Sequence, residues 1–368
     1  MSPFDLKLKC REVLRAAWQE EAGFCVPNQT VYPHQWLWDS CFHSVTWAAF
    51  GDERGVEELR SALANQASSG FVPHMNYWLD PSAGAAYWGR PLTSVITQPP
   101  MYGHALRVLA DTGFDAGVDL RGRVSRGIRH LIDDRPRVNG LVAVFHPWET
   151  GCDDSARWDD WCPGGYVRER WREVKNDIVA DLEMVGDTPQ PSRLFTAGSA
   201  GFTALVIWNC WEASAAGVEC GDARELVVAL RDRWDPDRRT WTDADTGSGT
   251  ARTLDGLLPL LVDPRDEAFD ELLDPSAYGA EFGPCGVHRE EPSFDPDAYW
   301  RGPAWPQLTY LLALAGRRAG RDDVAGALME SLGRAALTTG FAEYWNPDTG
   351  AARGAAPQTW TTLACVPV

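Results

Sequence analysis

The chain has 368 residues, and its 34 basic and 52 acidic side chains give a formal net charge of −18 at pH 7. Such an acidic surface repels phosphate groups, so neither nucleic acid nor an anionic membrane is expected as a partner. A composition of 44% hydrophobic and 23% charged residues predicts a folded protein with a large core and argues against disorder. The 18 Trp, which outnumber the 13 Phe and the 9 Tyr, indicate either a Trp-rich core or a recognition surface.

Helical periodicity recurs along the whole chain, whereas strand-like alternation is scarce and no βαβ rhythm occurs. The sequence therefore predicts an all-α protein. Helices are expected near residues 4–20, 39–50, 53–67, 101–112, 117–133, 168–184, 198–215, 222–233, 250–263, 302–318 and 321–338, with a short last one from 357. Long connections rich in Trp, Gly, Pro and acidic residues are expected at 69–100, 145–165, 281–301 and 341–356.

The unusual clusters in these connections end where an apolar helix begins. Residues 32–39 precede the apolar segment 41–50, residues 97–100 precede 101–109, and residues 299–303 precede 308–314. Helices that are apolar on nearly all sides lie in the interior of a protein. If these are the inner helices of a toroid, their N-termini point the same way and the clusters meet at one mouth. About twelve helices in alternating inner and outer positions predict an (α/α)6 barrel, with residues 1–368 forming a single domain.

The cysteines and the N-terminus indicate a compartment. The nine cysteines are scattered and form no C-x-x-C pair, which is typical of free thiols in a reducing cytoplasm. The N-terminal segment is charged and has no apolar core like that of a signal peptide. No run reaches the roughly 18 apolar residues of a membrane span. A cytoplasmic protein that does not interact with a membrane is therefore expected.

Several kinds of chemistry lack the residues that they need. The seven histidines show no metal-binding spacing, and residues 243–247 resemble the start of a calcium loop but lack its distal Glu. The sequence also has no Gly-rich phosphate loop, no G-x-S-x-G elbow and no motif for a Cys nucleophile. Neither a metal nor another cofactor is expected, and phosphoryl transfer and Ser or Cys hydrolysis lose support.

Carboxylates among aromatic residues remain. Asp153 follows Glu149 and precedes Asp154 in a segment that also contains tryptophans, and Glu343 lies between apolar rings. A carboxyl group beside apolar rings has a raised pKa, as a general acid requires, whereas a carboxylate with access to water can activate that water. Two such groups across a Trp-lined pocket would suit glycoside hydrolysis. A solvated acidic loop beside core aromatics explains the same residues in a chain with 52 acids.

Several separated motifs resemble those of one enzyme family. The segment E-T-G-C-D-D-S-A-R-W at 149–158 is similar to the E-S-G-x-D-x-S-x-R-W signature of trehalases and of glycoside hydrolase family 63. Y-W-R-G-P-A-W at 299–305 and E-Y-W-N-P-D-T-G at 343–350 resemble further motifs of that clan. Q-T-W-T at 358–361 stands where F-S-W-T is usual. Together with the segments at 32–39, 70–74 and 97–100, they are most similar to the bacterial mannosylglycerate and glucosylglycerate hydrolases.

The resemblance implies an (α/α)6 barrel and an inverting hydrolase that cleaves glucosylglycerate or mannosylglycerate to sugar and glycerate. Asp153 falls on the general acid and Glu343 on the general base, while Glu149, Asp154 and Arg157 become supporting residues. The residues matched to the sugar site are Tyr32, Trp36, Leu37, Trp38, Asp39, Gln98, Gly151, Tyr299, Trp300 and Gln358, with Tyr77 added from the loop after residue 74.

The glycerate carboxylate needs a cation in a protein of charge −18, and Arg193, just ahead of the helix expected at 198–215, is the candidate. Its alternative is an ordinary surface arginine. Compared with the clan that the motifs resemble, the central and C-terminal connections are short and leave little material for a lid between 185 and 298. A reduced lid weakens the glycerate assignment more than the hydrolase assignment. The alternatives for the whole chain are a hydrolase of another α-glycoside and a non-catalytic sugar-binding module or isomerase. The sequence does not distinguish glucose from mannose and does not indicate the oligomeric state.

Overall fold

The computed structural model describes residues 3–244 and 250–368. Helices dominate these residues, and the prediction of a mostly helical chain is confirmed. The α-helices, numbered α1 to α12, are Pro3–Ala17, Leu37–Ala49, Arg54–Ala62, Pro81–Trp88, Tyr102–Asp111, Gly117–Arg129, Arg168–Asp181, Ala200–Ala215, Arg224–Arg231, Asp266–Leu273, Pro306–Ala319 and Asp322–Thr339.

Some helical segments differ from the expected form. The segment expected at 250–263 is the 3₁₀ helix Leu254–Leu261, which contains Pro259, a residue with no N–H for an α-helical hydrogen bond. The last helix is also 3₁₀, at Thr359–Cys365. The other helical turns are the 3₁₀ segments Pro147–Thr150 and Ala156–Trp161 and the π-helical turn His130–Asp134, which continues α6.

Two helices were not expected from the periodicity. Helix α4 lies inside the predicted connection 69–100, where Asp80 accepts hydrogen bonds from the N–H groups of Ser82 and Ala83 and so caps the helix. Pro81 occupies its first turn, so the chain did carry a start signal. Helix α10 is a short amphipathic segment that packs against α12.

The strands are short, and most contain two residues. In chain order, the strands β1 to β13 are Trp18–Gln19, Phe24–Cys25, Gln35–Trp36, Met75–Asn76, Arg137–Val138, Leu141–Val144, Met184–Val185, Thr188–Pro189, Ala197–Gly198, Trp234–Asp235, Thr240–Trp241, Tyr344–Trp345 and Ala352–Arg353. All pairs are antiparallel: β1 with β2, β3 with β4, β5 with β6, β6 with β9, β7 with β8, β10 with β11 and β12 with β13.

Six buried helical segments contact one another in a closed ring. In order, the ring contains α2, α5, α8, Leu254–Leu261, α11 and Thr359–Cys365, and the last packs on α2. Helices α2 and α8 are buried along nearly their whole length, as their continuous apolar sequences require. Helices α1, α3, α6, α9 and α12 pack on members of the ring, and α3, α6 and α12 each contact two neighbouring members. The apolar surface that the ring buries supplies most of the core.

Three further predictions concern the cysteines, membrane spans and the calcium-like segment. All nine cysteines are free thiols, and eight of them are buried. No helix in the described part of the chain is long and apolar enough to cross a membrane. The calcium-like segment 243–247 falls largely outside the described residues, and Asp243, which is described, pairs with Arg157.

Candidate active site

The segments that precede three helices of the ring meet at a cavity of about 810 Å³. Trp36 directly precedes α2, Gln98 precedes α5, and Tyr299 precedes α11. The full lining is Tyr32, Trp36, His74, Met75, Tyr77, Tyr87, Trp88, Gln98, Trp148, Asp153, Asp154, Arg168, Glu169, Arg172, Lys175, Asn176 and Tyr299. Of the predicted site residues, the structure therefore brings Tyr32, Trp36, Tyr77, Gln98, Asp153 and Tyr299 to one cavity.

Asp153 is held at the cavity wall by two neighbours. The hydroxyl of Tyr299 donates a hydrogen bond to its Oδ2 over 3.2 Å, and the indole Nε1 of Trp171 donates to its backbone carbonyl over 3.0 Å. Burial raises the pKa of Asp153 to about 7, and the positive charge of Lys175 opposes that rise. A substantial fraction of Asp153 is therefore protonated at neutral pH, as proton donation requires.

Glu343 is a buried carboxylate, only 3% exposed, at the start of the hairpin Tyr344–Trp345/Ala352–Arg353. Its Oε2 accepts the N–H of Ala355 over 2.9 Å, and its Oε1 accepts the hydroxyl of Tyr32 over 3.0 Å. Burial raises the pKa of Glu343, while these two hydrogen bonds favour the ionised form. Glu343 is not itself part of the cavity lining, but it is hydrogen-bonded to Tyr32, which is.

Each carboxyl group is paired with a tyrosine that stays protonated. Burial raises the pKa of Tyr32 and of Tyr299, and nearby carboxylates raise both further. Both phenols therefore remain hydrogen-bond donors at neutral pH. The backbone is strained at Trp300, directly after Tyr299, where φ is 58°, and at Phe341, two residues before Glu343, where φ is 63°. The cavity therefore has one carboxyl group in its wall, that of Asp153, and a second, that of Glu343, hydrogen-bonded to the lining residue Tyr32.

Glu149 and Arg157 hold the loop that carries Asp153. The carboxylate of Glu149 is fully buried, pairs with Arg135 and accepts the N–H of Thr97 over 3.1 Å, which ties the loop to the segment before α5. The guanidinium of Arg157 donates from Nε to Asp243 Oδ2 over 2.9 Å and also to two backbone carbonyls. Both ends of the loop are thereby fixed to the scaffold.

The other predicted sugar-site residues are buried and are not part of the cavity lining. The ring of Trp38 packs directly against Gly151, where a Cβ atom would come within 2.4 Å of the ring. The backbone N–H of Trp38 donates to Gln98 Oε1 over 3.4 Å. Within this group, three buried polar atoms have no hydrogen-bond partner among the described residues: Asp39 Oδ1, Trp300 Nε1 and Gln358 Oε1. Leu37 is buried at the start of α2.

The structure does not bring Arg193 to the cavity. Its side chain is 81% exposed and pairs with Asp181 over 2.7 Å, and it is absent from the lining. Helix α7 instead presents Arg168, Arg172 and Lys175 to the cavity. Their spacing of four and three residues places them on one helix face, and this spacing was the available sequence signal.

Neither Arg168 nor Arg172 forms an ion pair with any carboxylate that the structure describes. The guanidinium of Arg168 lies over the ring of Tyr299, with 5.4 Å between its central carbon and the ring centroid.

Sequence reasoning also missed the aromatic residues that α4 contributes to the cavity wall, Tyr87 and Trp88. The Trp88 Nε1 donates to the hydroxyl of Tyr77 over 2.8 Å.

One group of potential metal ligands exists among the described residues. Ligand atoms of Cys25, His43 and Glu58 lie within 4.8 Å of one another, and all three side chains are buried. Each already has a protein partner: His43 bonds Glu58 over 3.2 Å and Thr359 over 2.6 Å, and the Cys25 thiol bonds a backbone carbonyl. None of these residues lines the cavity, and the network joins α2, α3 and the last 3₁₀ helix.

The chain is similar to proteins of known function. A profile of the mannosylglycerate hydrolase MGH1-like glycoside hydrolase domain matches residues 32–361. The chain belongs to this glycoside hydrolase family. It is 27% identical to the mannosylglycerate hydrolase MGH1 of Selaginella moellendorffii, over 97% of this chain and 84% of that protein. It is 28% identical to the glucosylglycerate hydrolase of Mycolicibacterium hassiacum, over 91% of each chain.

Among solved structures, the chain resembles the family 63 mannosylglycerate hydrolase of Thermus thermophilus crystallised with Tris. The TM-score is 0.80 at 26% identity, and the match covers 98% of this chain and 99% of that one. The family expected from the sequence motifs is thus confirmed, and the protein is a glycoside hydrolase.

Proposed function

We propose that this glycoside hydrolase cleaves the α-glycosidic bond of glucosylglycerate or mannosylglycerate and releases the sugar and glycerate. The observation that carries the proposal is the pair of carboxyls, Asp153 and Glu343, each bonded to a tyrosine of the same cavity. The family relatives named for these two substrates support the choice.

We also propose that the closed ring of six helical segments is the inner layer of an (α/α)6 barrel and that residues 1–368 form one domain. The outer helices packed on ring members support the alternating arrangement. Free cysteines throughout the chain favour a cytoplasmic location.

In the proposed mechanism, Asp153 is the general acid and Glu343 the general base. Asp153 donates its proton to the glycosidic oxygen as the bond from that oxygen to the anomeric carbon breaks. Glu343 takes a proton from a water molecule, whose oxygen attacks the anomeric carbon from the opposite face. The sugar leaves with inverted configuration, glycerate leaves with the proton from Asp153, and Glu343 holds the proton from water.

The sugar would occupy the part of the cavity that Tyr32, Trp36, Gln98 and Tyr299 line. Asp39 Oδ1, Trp300 Nε1 and Gln358 Oε1 are buried without partners, and buried polar groups normally find one. Sugar hydroxyls can donate to the two acceptors and accept from the indole N–H. The residues proposed for this subsite remain those matched by the motifs: Tyr32, Trp36, Leu37, Trp38, Asp39, Tyr77, Gln98, Gly151, Tyr299, Trp300 and Gln358.

The carboxylate of the glycerate would face α7. Arg168 and Arg172 supply cations at the cavity wall that no described carboxylate neutralises. Arg193, in contrast, already pairs with Asp181. We therefore assign the carboxylate contact to the arginines of α7 in place of Arg193.

A hydrolysis screen tests the proposal. The substrates are α-glucosylglycerate, α-mannosylglycerate, trehalose and kojibiose, and turnover of a glycerate glycoside is expected to exceed that of the neutral disaccharides. Asp153→Asn and Glu343→Gln should abolish turnover, whereas Asp177→Asn, at an exposed acid of α7, should not. Proton NMR of the first released sugar should show the inverted anomer. Near wild-type turnover in either catalytic variant, or a retained anomer, would refute the mechanism.

The carboxylate contact has its own test. Arg172→Met and Arg168→Met should each raise KM for the glycerate glycoside about tenfold or more, since a hydrogen bond to a charged group contributes about 1.5–3 kcal/mol. Arg193→Met is the matched control and should leave KM unchanged. Preferential cleavage of a neutral disaccharide would favour the alternative function, a hydrolase of another α-glycoside. Failure to release sugar from every glycoside would favour a binding module.

A further inference from the structure

Asp154 is a charged residue directly after the proposed general acid. The signature E-S-G-x-D-x-S-x-R-W leaves the residue after the acid unspecified, and this chain has Asp there. A carboxylate beside Asp153 opposes its ionisation and raises its pKa. Asp154 is buried, so its charge requires a partner.

Helix α7 supplies that partner and also holds the neighbouring peptide. The Nζ of Lys175 donates to Asp154 Oδ1 over 2.5 Å, and the hydroxyl of Tyr166 donates to Asp154 Oδ2 over 2.9 Å. One helical turn earlier, Trp171 Nε1 donates to the carbonyl of Asp153 over 3.0 Å. Residues four apart lie on the same helix face. One face of α7 therefore forms hydrogen bonds with two consecutive residues, Asp153 and Asp154.

Lys175 is well placed to act on Asp153 as well. Its side chain is buried, at 7% exposure for the residue, and it lines the cavity with Asp153 and Asp154. Its ammonium group lies 5.8 Å from the ring centroid of Trp148. Low surrounding polarity strengthens the interaction between these charges.

Other charged and titratable groups also face this cluster. They come from the segments before α2, α7 and α11, from the hairpin that carries the base, from the loop before the acid and from α7 itself. These groups are Tyr32, Glu343, Tyr299, His146, Tyr166, Arg301, Arg168, Glu169 and Arg172. Of the described cations in the cluster, Lys175 is the one that bonds directly to Asp154.

We propose that Lys175 is a positioning residue for the general acid: it cancels the charge of Asp154 and, with Trp171, fixes the peptide that carries Asp153. The proposal rests on the proposed function, because it requires Asp153 to be the acid. Loss of Lys175 removes a positive charge near Asp153 and leaves the negative charge of Asp154 uncompensated. Each of these two effects disfavours the ionised form of Asp153. Loss of the Asp154 charge leaves Lys175 unopposed and favours ionised Asp153.

The test is the pH dependence of kcat/KM in a double-mutant cycle. The wild-type profile should be bell-shaped, with its alkaline limb set by Asp153. Lys175→Met should move that limb upward by about one pH unit or more, and Asp154→Asn should move it downward. The double variant should return close to the wild-type limb, because the pair is removed as a neutral unit. Glu173→Gln, at an exposed acid of α7, is the control.

Active variants whose alkaline limb does not move would overturn the proposal, as would additive losses of kcat with no recovery in the double variant. If Lys175→Met does not fold, the downward shift in Asp154→Asn decides the question. A wild-type protein that cleaves no glycoside would refute the proposed function and this role with it. Normal cleavage with unmoved limbs would refute this role alone.

Discussion

Gly354 lies at the turn that leads to Ala355, whose N–H bonds the proposed base. It has a φ of +68°, and a Cβ atom built there would lie 2.3 Å from Oε2 of Glu343 and 2.7 Å from the ring of Tyr344. Gly340 has nearly the same φ, +66°, but a Cβ atom there would meet nothing within 4 Å. Gly354→Ala and Gly340→Ala therefore form a matched pair that separates backbone strain from overlap with the base.

The magnitudes follow from these contacts. A left-handed conformation costs an alanine about 1–2 kcal/mol, and the lower entropy of the unfolded chain offsets about 0.4–1 kcal/mol of it. Gly340→Ala should thus lower the free energy of unfolding by roughly 1 kcal/mol. Overpacking adds about 1–3 kcal/mol at Gly354. Because the overlap displaces the Glu343 carboxylate, kcat/KM should fall about 100-fold, the size expected for a shift of about 1 Å.

Urea unfolding of both variants and kcat/KM on the glycoside cleaved by the wild type would measure these effects. Gly340→Ala should keep kcat/KM within a few-fold of the wild type. Equal losses of stability in the two variants, together with preserved kcat/KM in Gly354→Ala, would show that Glu343 is not held against this turn during catalysis.

The two tyrosines should control opposite limbs of the pH profile. Tyr32→Phe removes a hydrogen bond that lowers the pKa of Glu343, so the acidic limb of kcat/KM should move to higher pH. Tyr299→Phe removes a hydrogen bond that lowers the pKa of Asp153, so the alkaline limb should move to higher pH. Movement of both limbs in both variants would contradict the assignment. Arg157→Met strands buried Asp243 and should lower the free energy of unfolding by about 3–5 kcal/mol in urea. A much smaller loss is expected from Arg224→Met, at an exposed pair, and an equal loss would contradict the argument.

The sequence predicted the helical scaffold wherever periodicity was long and continuous. Segments apolar on all sides, such as 39–50 and 198–215, can be stable only when buried, and they form α2 and α8 of the ring. The short helices α4 and α10 escaped because eight residues give few repeats of the helical period. Pro259 favoured a 3₁₀ helix where an α-helix was expected.

The sequence motifs also nominated both carboxyls, since the residue types and their order are a property of the chain. Their surroundings are not local. Tyr32 bonds Glu343 across 311 positions, and Tyr299 bonds Asp153 across 146. The pKa of Asp153 rises because the folded chain excludes water around it, an effect that no local pattern reports.

Charge pairing shows the same division. The sequence indicated that an anionic ligand would need a cation, and Arg193 was one of many arginines near the right segment. Folding places Asp181 against Arg193 and leaves Arg168 and Arg172 facing the cavity without an acidic partner among the described residues. Sequence alone thus determined which helices are buried and which acids are candidates. Only the tertiary structure decided which charges meet, because an ion pair depends on distances between residues that folding brings together.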